Sequence, residues 1–277
     1  MTRPPTIVSI QSQLVFGCAG NNAAVPLLER LGATVHAVPT AILSNTPHYP
    51  TIAGGPMPAE LIRDLLDILL DRVPPNHIDV ILTGYIASAE TAAITARFIQ
   101  RVRASHPGVV VLCDPVMGDT DYGLYVSEDV AEAIRTLLTE QADILTPNLF
   151  EAKWLAETST DDPLELLEHL LLRGRTSIGV VTGVLEADGR ISTIAGNRQA
   201  RWVVTTDRLD LRPTGTGDIF SAAFARHFYF SRDIRGALEA GVAAVYDLLQ
   251  FCRTESALEL QPQMLAFNHP VSPGMPI

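Results

Sequence analysis

Cysteine is scarce in this chain of 277 residues: Cys18, Cys113 and Cys252 are odd in number and widely spaced. They lack the close pairs that a structural zinc site or a disulfide framework would show, which favours a reducing compartment and a cytoplasmic location. Positive charge is also in short supply. Twenty Lys and Arg stand against thirty-one Asp and Glu, a formal charge of −11, which repels nucleic acid and anionic membrane. No run of Lys or Arg creates a local exception. Long apolar runs are missing too. No segment reaches the roughly 18 to 20 apolar residues of a membrane span, and Ser9, Gln11, Ser12 and Gln13 interrupt the N-terminal stretch that a signal peptide would need. No internal repeat or long linker is evident.

What the sequence does have is apolar bulk. Apolar residues make up 47% and charged residues 18%, a balance that excludes wholesale disorder and suits a sheet covered on both faces. Strand-like and helix-like segments alternate. TIVSIQ at Thr6–Gln11, ATVHAVPTAIL, IDVILT, VVVLC, ADILT and SIGVVTG read as strands. Between them lie helical patterns that end near Leu31, run from Ala59 to Val73, from Ser88 to Ala104 and from Ser127 to Thr139, and fill two stretches separated near Asp161–Pro163. Residues 189–206 read as a hairpin, and helices dominate from Asp218 to about Ala266. The alternation predicts an α/β protein, a three-layer α/β/α sandwich with a mainly parallel central sheet. Residues 1–266 are expected to form one domain and 267–277 a flexible C-terminal tail.

The strongest local signal is RPTGTGDIFSAAFARHF, where Thr214, Gly215, Thr216 and Gly217 precede Asp218 and an apolar helix. A glycine-rich turn opening a helix points free backbone N–H groups at one spot, and the helix dipole adds positive potential there, so an oxyanion or phosphate is favoured. Asp218 at its mouth fits two roles: a helix N-cap, or a base taking the proton of a hydroxyl that attacks a phosphoryl group. No Lys follows the glycines and no apolar strand runs directly into them, so neither the Walker A loop nor the dinucleotide fingerprint applies.

TGTGD before an apolar helix resembles the C-terminal signature of ribokinase-like kinases. Three more segments are similar to the pyridoxal kinase family: SIQSQLVFGCAGN near the start, LCDPVMGD at Leu112–Asp119 and LTPNLFEAKWL at Leu145–Leu155. They occur in the family's order and spacing, over about Val8 to Leu249. The resemblance implies a ribokinase-like kinase with Asp218 as general base and the amides of Gly215, Thr216 and Gly217 stabilising the transferring phosphoryl group. It also implies Ser12 as a contact of the substrate ring, and a lid in SNTPHYP, with His48 and Tyr49 as its polar candidates. Read by themselves, Ser12 fits a loop cap and His48 a solvated loop side chain. Tyr85, at the end of an apolar strand, stands where ligands gather in open α/β sheets, and could equally be a rim tyrosine.

Asp114 follows VVVLC, so its carboxylate is expected at the C-terminal edge of the sheet, where Mg²⁺ accompanying ATP needs only one or two carboxylates. Glu151 closes NLFE and resembles the NxxE motif of the superfamily. Asn148 and Glu151 are also spaced as a capping box. Both carboxylates are implied as metal ligands through water. Asp119 and Tyr125 match family positions near ATP or a bound monovalent cation such as K⁺, with TDYG as a mobile flap, and Thr146 and Thr182 match nucleotide-contacting positions.

Two departures are visible. Cys18 stands where many relatives have His, and Thr182 where some bacterial relatives have a Lys near the phosphates, which puts more load on amides and metal. The implied reaction is phosphorylation of the 5′-hydroxymethyl group of pyridoxal, pyridoxine or pyridoxamine by ATP, in a homodimer with no nucleic-acid or membrane partner. Two rivals are a hydroxymethylpyrimidine kinase and a catalytically silent B6 or nucleotide binder of the same fold.

Overall fold

The computed structural model describes residues 3–211, 213–255, 259–266 and 271–277. The chain enters through β1 (Thr6–Leu14), α1 (Asn21–Arg30), β2 (Thr34–Leu43), a short β3 (Gly54–Pro56) and α2 (Ala59–Arg72). It continues with β4 (Val80–Thr83), α3 (Ala89–Ser105) and β5 (Val110–Cys113), then a two-stranded ribbon of β6 (Gly118–Asp119) and β7 (Gly123–Leu124). After α4 (Glu128–Ala133) come β8 (Ile144–Leu145), α5 (Leu149–Ala156), α6 (Pro163–Leu171), β9 (Ile178–Leu185), β10 (Ile191–Gly196) and β11 (Arg201–Thr206). Two long helices, α7 (Thr216–Ser231) and α8 (Ile234–Glu255), precede β12 (Met275–Pro276).

The main sheet runs β12-β11-β10-β9-β8-β5-β4-β1-β2-β3. Its middle, from β9 to β2, is parallel, and antiparallel strands extend both edges. This is the expected three-layer arrangement. The central strands are buried on both faces and alternate between two cores with the two-residue period of a strand. Val8, Ile81, Val111 and Leu145 join the core covered by α2 to α6. Ile7, Val80, Leu112 and Ile144 join the core covered by α1, α7 and α8. Because every parallel strand then ends on the same side, the loops after β1, β4, β5 and β8 meet the start of α7 along one crevice.

Four features depart from the expected elements, one of them α8, which ends at Glu255 where helix was expected to about Ala266. The helix expected over Ser127–Thr139 is regular only through Ala133, then widens into a π turn at Ile134–Leu138 and tightens at Thr139–Gln141. The Thr136 and Thr139 hydroxyls donate to the carbonyls of Glu132 and Arg135 at 2.7 and 2.5 Å, and Arg173 donates to the Arg135 carbonyl at 2.8 Å. These donors compete with the helical ladder for its acceptors. β3, which the sequence pattern did not suggest, pairs with the end of β2. The stretch expected as a loose tail splits: residues 267–270 lie outside the described residues, while Met275 and Pro276 pair with Val203 and Trp202 at the sheet edge.

Phe224, fully buried in α7, lies between Phe220 and Phe228 with ring centroids 5.8 and 6.4 Å away. Phe224→Ala removes most of that volume from the core beneath the site. Its unfolding free energy should fall by about 3–5 kcal/mol, read as a lower denaturant midpoint with unchanged slope.

Candidate active site

The turn before α7 is shaped by close backbone packing. Gly215 is the N-cap with φ 87°, and a Cβ there would lie 2.2 Å from the carbonyl oxygen of Cys18. A side chain fits neither the angle nor the space. No side chain caps the helix, so Asp218, on the third helical residue, is not the N-cap that its position in the sequence also allowed. Its Oδ2 instead accepts a hydrogen bond from the Gly20 amide at 2.8 Å, reaching across to the loop between β1 and α1. Its Oδ1 is buried with no protein partner. Burial pushes the Asp218 carboxyl above its ordinary value, partly offset by the Gly20 amide. The first amides of α7, those of Thr216 and Gly217 among them, have no intrahelical acceptor and sit beside this carboxylate.

A second carboxylate group forms the opposite wall. Asp114, just past β5, accepts from the Ser221 hydroxyl at 2.9 Å, and Ser221 shares a 2.8 Å hydrogen bond with Thr146. Gly217 faces it: a Cβ on Gly217 would stand 3.3 Å from Asp114 Oδ2. The chain turns sharply after Asp114, with Val116 at φ 42°, a strained angle for a β-branched residue. Glu151 lies in the first turn of α5. Its Oε2 accepts from the Asn148 amide at 3.0 Å, while Asn148 Oδ1 accepts from the Glu151 amide at 2.9 Å, a complete capping box. Glu151 Oε1 accepts from the amides of Met117 and Gly118 at 2.8 and 3.4 Å.

These two carboxylates are buried and repel one another. Burial first, then the charges of Glu151 and Asp218, hold the Asp114 carboxyl well above the usual range. Burial raises Glu151 to about 7 against the pull of its three amides. A divalent cation beside them would relieve that repulsion, and the donor set of carboxylate oxygens suits Mg²⁺. No cluster of three or more His, Cys, Asp or Glu able to hold a metal is found among the described residues, so a cation here would keep most of its water.

The other expected residues fall into three groups. Ser12 is buried near the end of β1 and lies against Gly20: a Cβ on Gly20 would stand 2.5 Å from Ser12 Oγ. It therefore belongs to the wall that holds Asp218. Asn148 donates to the Gly118 carbonyl at 2.8 Å, and Thr182 bridges to Asn148 with its amide 3.0 Å from the Pro147 carbonyl. Thr146 is buried, its hydroxyl engaged by Ser221. Asp119 accepts from the amides of Asp121 and Tyr122 and so holds the tip of the β6–β7 ribbon, the segment expected as a flap. Tyr125 closes that ribbon, its amide donating to Met117. Tyr125 is 42% exposed as a whole, but desolvation of its phenol and the negative field of Glu151, Asp114 and Asp218 push that group up. Tyr85 is half-buried past β4, its carbonyl held by Thr40 at 2.6 Å and its phenol raised by burial. His48 is exposed on the loop after β2, and its ring packs edge-on against Tyr122 at 5.8 Å, so the expected lid and flap touch.

Sequence reasoning missed the partners. Ser221, Gly20 and a buried network in which Gln11 donates to Ser9, Ser9 to Asn21 and Asn21 back to the Gln11 carbonyl lie within SIQSQLVFGCAGN and RPTGTGDIFSAAFARHF, but were not singled out there. Gly20 had one usable signal, standing immediately before Asn21 and Asn22 at a helix start. The segment after α8 was expected as helix to about Ala266, yet Glu259 lies in a non-helical stretch beyond Glu255 and reaches Tyr49 and Cys18.

The family model described as phosphomethylpyrimidine kinase matches residues 15–261. A pyridoxine/pyridoxal/pyridoxamine kinase of Bordetella avium is 39% identical over 260 residues, covering 92% of this chain and 88% of that one. A pyridoxal kinase of Corynebacterium diphtheriae is 34% identical, covering 92% of each. This chain belongs to the pyridoxal kinase family. The pyridoxal kinase of Leishmania donovani, solved with ADP and ginkgotoxin, superposes with a TM-score of 0.89 at 30% identity over 98% of this chain and 99% of that one. The fold is accordingly ribokinase-like, and the members named here are kinases.

Of the two departures from the family's pattern, Cys18 is settled by its surroundings. It is buried, and burial together with Asp218 and Glu259 pushes its thiol up to about 12, so it is no nucleophile at neutral pH. Glu151 yields a test. A carboxyl raised in the folded state stabilises below its unfolded value and costs stability as pH rises through about 7. The metal-free protein should therefore lose melting temperature between pH 6 and 8, and excess Mg²⁺ should restore more of it at pH 8 than at pH 6. A Mg²⁺ effect that is equal at both pH values, or unchanged in Asp114→Asn, would count against a cation at this pair.

Proposed function

We propose that this protein transfers the γ-phosphoryl group of ATP to the 5′-hydroxymethyl oxygen of pyridoxal, and also of pyridoxine and pyridoxamine. The observation that carries this reading is the buried, unpartnered Oδ1 of Asp218 at the open start of α7, in a chain 39% identical to a pyridoxine/pyridoxal/pyridoxamine kinase. A carboxylate fixed through one oxygen keeps the other for the proton of an attacking hydroxyl. The nearby helix-start amides are suited to the equatorial oxygens of the phosphoryl group in flight.

In this reading Ser12, His48 and Tyr85 orient the alcohol. Asp119, Tyr125, Thr146, Asn148, Glu151 and Thr182 line the nucleotide side, Thr146 by holding Ser221 against Asp114. Asp114 and Glu151 hold Mg²⁺ through water, which supplies neutralisation of phosphate charge. The Leishmania donovani kinase has been solved with ADP and with pyridoxamine or pyridoxine, which supports one crevice serving both substrates. The sheet that carries both halves supports reading the chain as one kinase domain, which reaches past the expected boundary at residue 266 because β12 pairs at the sheet edge. Three buried free thiols support a cytoplasmic location, and no described helix is long and apolar enough to cross a membrane. We read the assembly as a homodimer, for which Leu61, Leu65 and Ile68, exposed along α2, offer an apolar stripe.

A second reading, a kinase for a hydroxymethylpyrimidine, has the description of the matching family model in its favour. A solved Bacteroides thetaiotaomicron protein described as a putative phosphomethylpyrimidine kinase contains pyridoxal, at 26% identity and a TM-score of 0.83, so that description does not decide the substrate. Release of ADP from Mg-ATP should be supported by B6 vitamers and only weakly by the aminopyrimidine alcohol. Asp218→Asn should lower kcat by about 10²–10⁴ with little change in melting temperature. Preference for the pyrimidine would overturn the substrate; full activity of the mutant would overturn the base.

The same base sets a pH dependence. Because Asp218 must be ionised to accept the proton, and burial raises its carboxyl, kcat/KM for pyridoxal should fall on the acid side with a midpoint above the ordinary aspartate value of about 3.9. An acid limb at or below that value would remove Asp218 from the step.

A further inference from the structure

A carboxylate from the segment after α8 reaches two loops beside the start of α7. Glu259 sends its two carboxylate oxygens in different directions. Oε1 accepts the Tyr49 hydroxyl at 2.5 Å, and Oε2 accepts the Cys18 amide at 3.1 Å. Tyr49 belongs to the loop after β2, the segment that the family resemblance implies as a cover, and its ring packs edge-on against Phe16 at 5.6 Å. Cys18 belongs to the loop between β1 and α1, two residues before the amide that holds Asp218. Its carbonyl in turn accepts from the Thr214 hydroxyl at 3.5 Å and is the surface against which Gly215 packs. One carboxylate thus joins the cover, the ring-side loop and, through Cys18, the turn that opens α7. Glu259 is itself anchored, its carbonyl accepting from the Cys252 thiol at 3.4 Å.

A charged acceptor serving two donors is stronger than a neutral pair, and Phe16 and Val15 beside it are 57% and 80% exposed. Apolar packing alone therefore does not secure this part of the cover. The other side of the cover meets the β6–β7 ribbon through one ring contact, His48 on Tyr122. The base of this loop is held separately, the Phe16 amide donating to the Ser44 carbonyl at 2.9 Å and Asn45 to the Thr46 and Thr51 carbonyls, so the bond from Tyr49 to Glu259 is the tie that fixes the Tyr49 side chain beyond that base.

We propose that Glu259 is a positioning residue for the alcohol substrate: its carboxylate latches the Tyr49 cover to the Cys18 loop, so that the latch controls retention of the alcohol and leaves the nucleotide side unaffected. The inference rests on the assignment of this half of the crevice to the alcohol. It names a residue that touches no reacting atom and acts through Tyr49 and Cys18.

The test uses Tyr49→Phe, which keeps the ring against Phe16 and removes only the hydroxyl, with Glu259→Ala and the double variant. Each single change should raise KM for pyridoxal about tenfold, the scale of one charge-assisted hydrogen bond, and in Tyr49→Phe, which leaves the Cys18 amide its acceptor, KM for ATP and kcat should stay within about twofold. The double variant should be no worse than Glu259→Ala, because both changes remove the same contact. The release rate of pyridoxal should rise in parallel in stopped-flow measurements without ATP. Unchanged KM for pyridoxal in Tyr49→Phe, multiplicative effects in the double variant, or equal losses for both substrates would overturn the latch. Should Glu259→Ala not fold, Tyr49→Phe alone decides. Wild-type turnover separates this inference from the one beneath it: an enzyme that phosphorylates no B6 vitamer refutes the alcohol assignment, whereas an active enzyme indifferent to Tyr49→Phe refutes only the latch.

Discussion

The hydrogen bond from the Gly20 amide to Asp218 joins two parts of the chain 198 residues apart, and much of the crevice is arranged around it. Gly20 holds φ 56°, and a Cβ there would come within 2.4 Å of the Ser12 carbonyl, so only glycine brings the amide into line. Gly215 meets the same loop from the other side, against the Cys18 carbonyl. Two glycines thus let two backbones close on each other, and the carboxylate is caught between them. A single amide is too little to satisfy a buried carboxylate. The second oxygen stays unpartnered and the carboxyl stays raised, a cost that a purely structural aspartate has no reason to carry.

The same shortage of compensation runs through the rest of the crevice. The groups that hydrogen-bond to Asp114, Glu151 and Asp218 are a hydroxyl and backbone amides, with no Lys, Arg or His side chain bonded to them among the described residues. Three buried carboxylates next to a cluster of helix-start amides form a site with alternating potential, negative where a metal would lie and positive where phosphate oxygens would lie. That pattern suits a metal–nucleotide complex better than either component alone, because each half neutralises what the other wall leaves exposed.

How much of this could be read in advance depended on whether the signal was local. Strand alternation and the TGTGD turn act within a few residues, so the sandwich and the start of α7 were legible. The Asn148–Glu151 capping box was legible for the same reason, although sequence alone left open whether it excluded other roles. The break in the helix after Ala133 was not legible, because it comes from Arg173, on a later loop, taking the Arg135 carbonyl. Ser221, Gly20 and Glu259 were missed because each acts on a partner brought near only by the fold: Ser221 on Asp114, Gly20 on Asp218, Glu259 on Tyr49 and Cys18. A serine one turn along an apolar helix or a glutamate after one looks like surface or packing in sequence.

The capping box shows why a structural role and a metal role need not compete. Glu151 has two carboxylate oxygens with about four lone-pair directions, and three are met by the amides of Asn148, Met117 and Gly118. The Gly118 contact, at 3.4 Å, is long and holds its direction weakly. A water on a nearby cation can therefore donate to Glu151 without breaking the cap. The cap in return fixes the carboxylate's position, so no side-chain freedom has to be lost when the cation arrives. Buried and raised to about 7, the carboxylate gains most from a positive neighbour at the pH where it would otherwise sit half-protonated. The interaction that starts α5 is then also the one that keeps a ligand for metal-bound water ready in place.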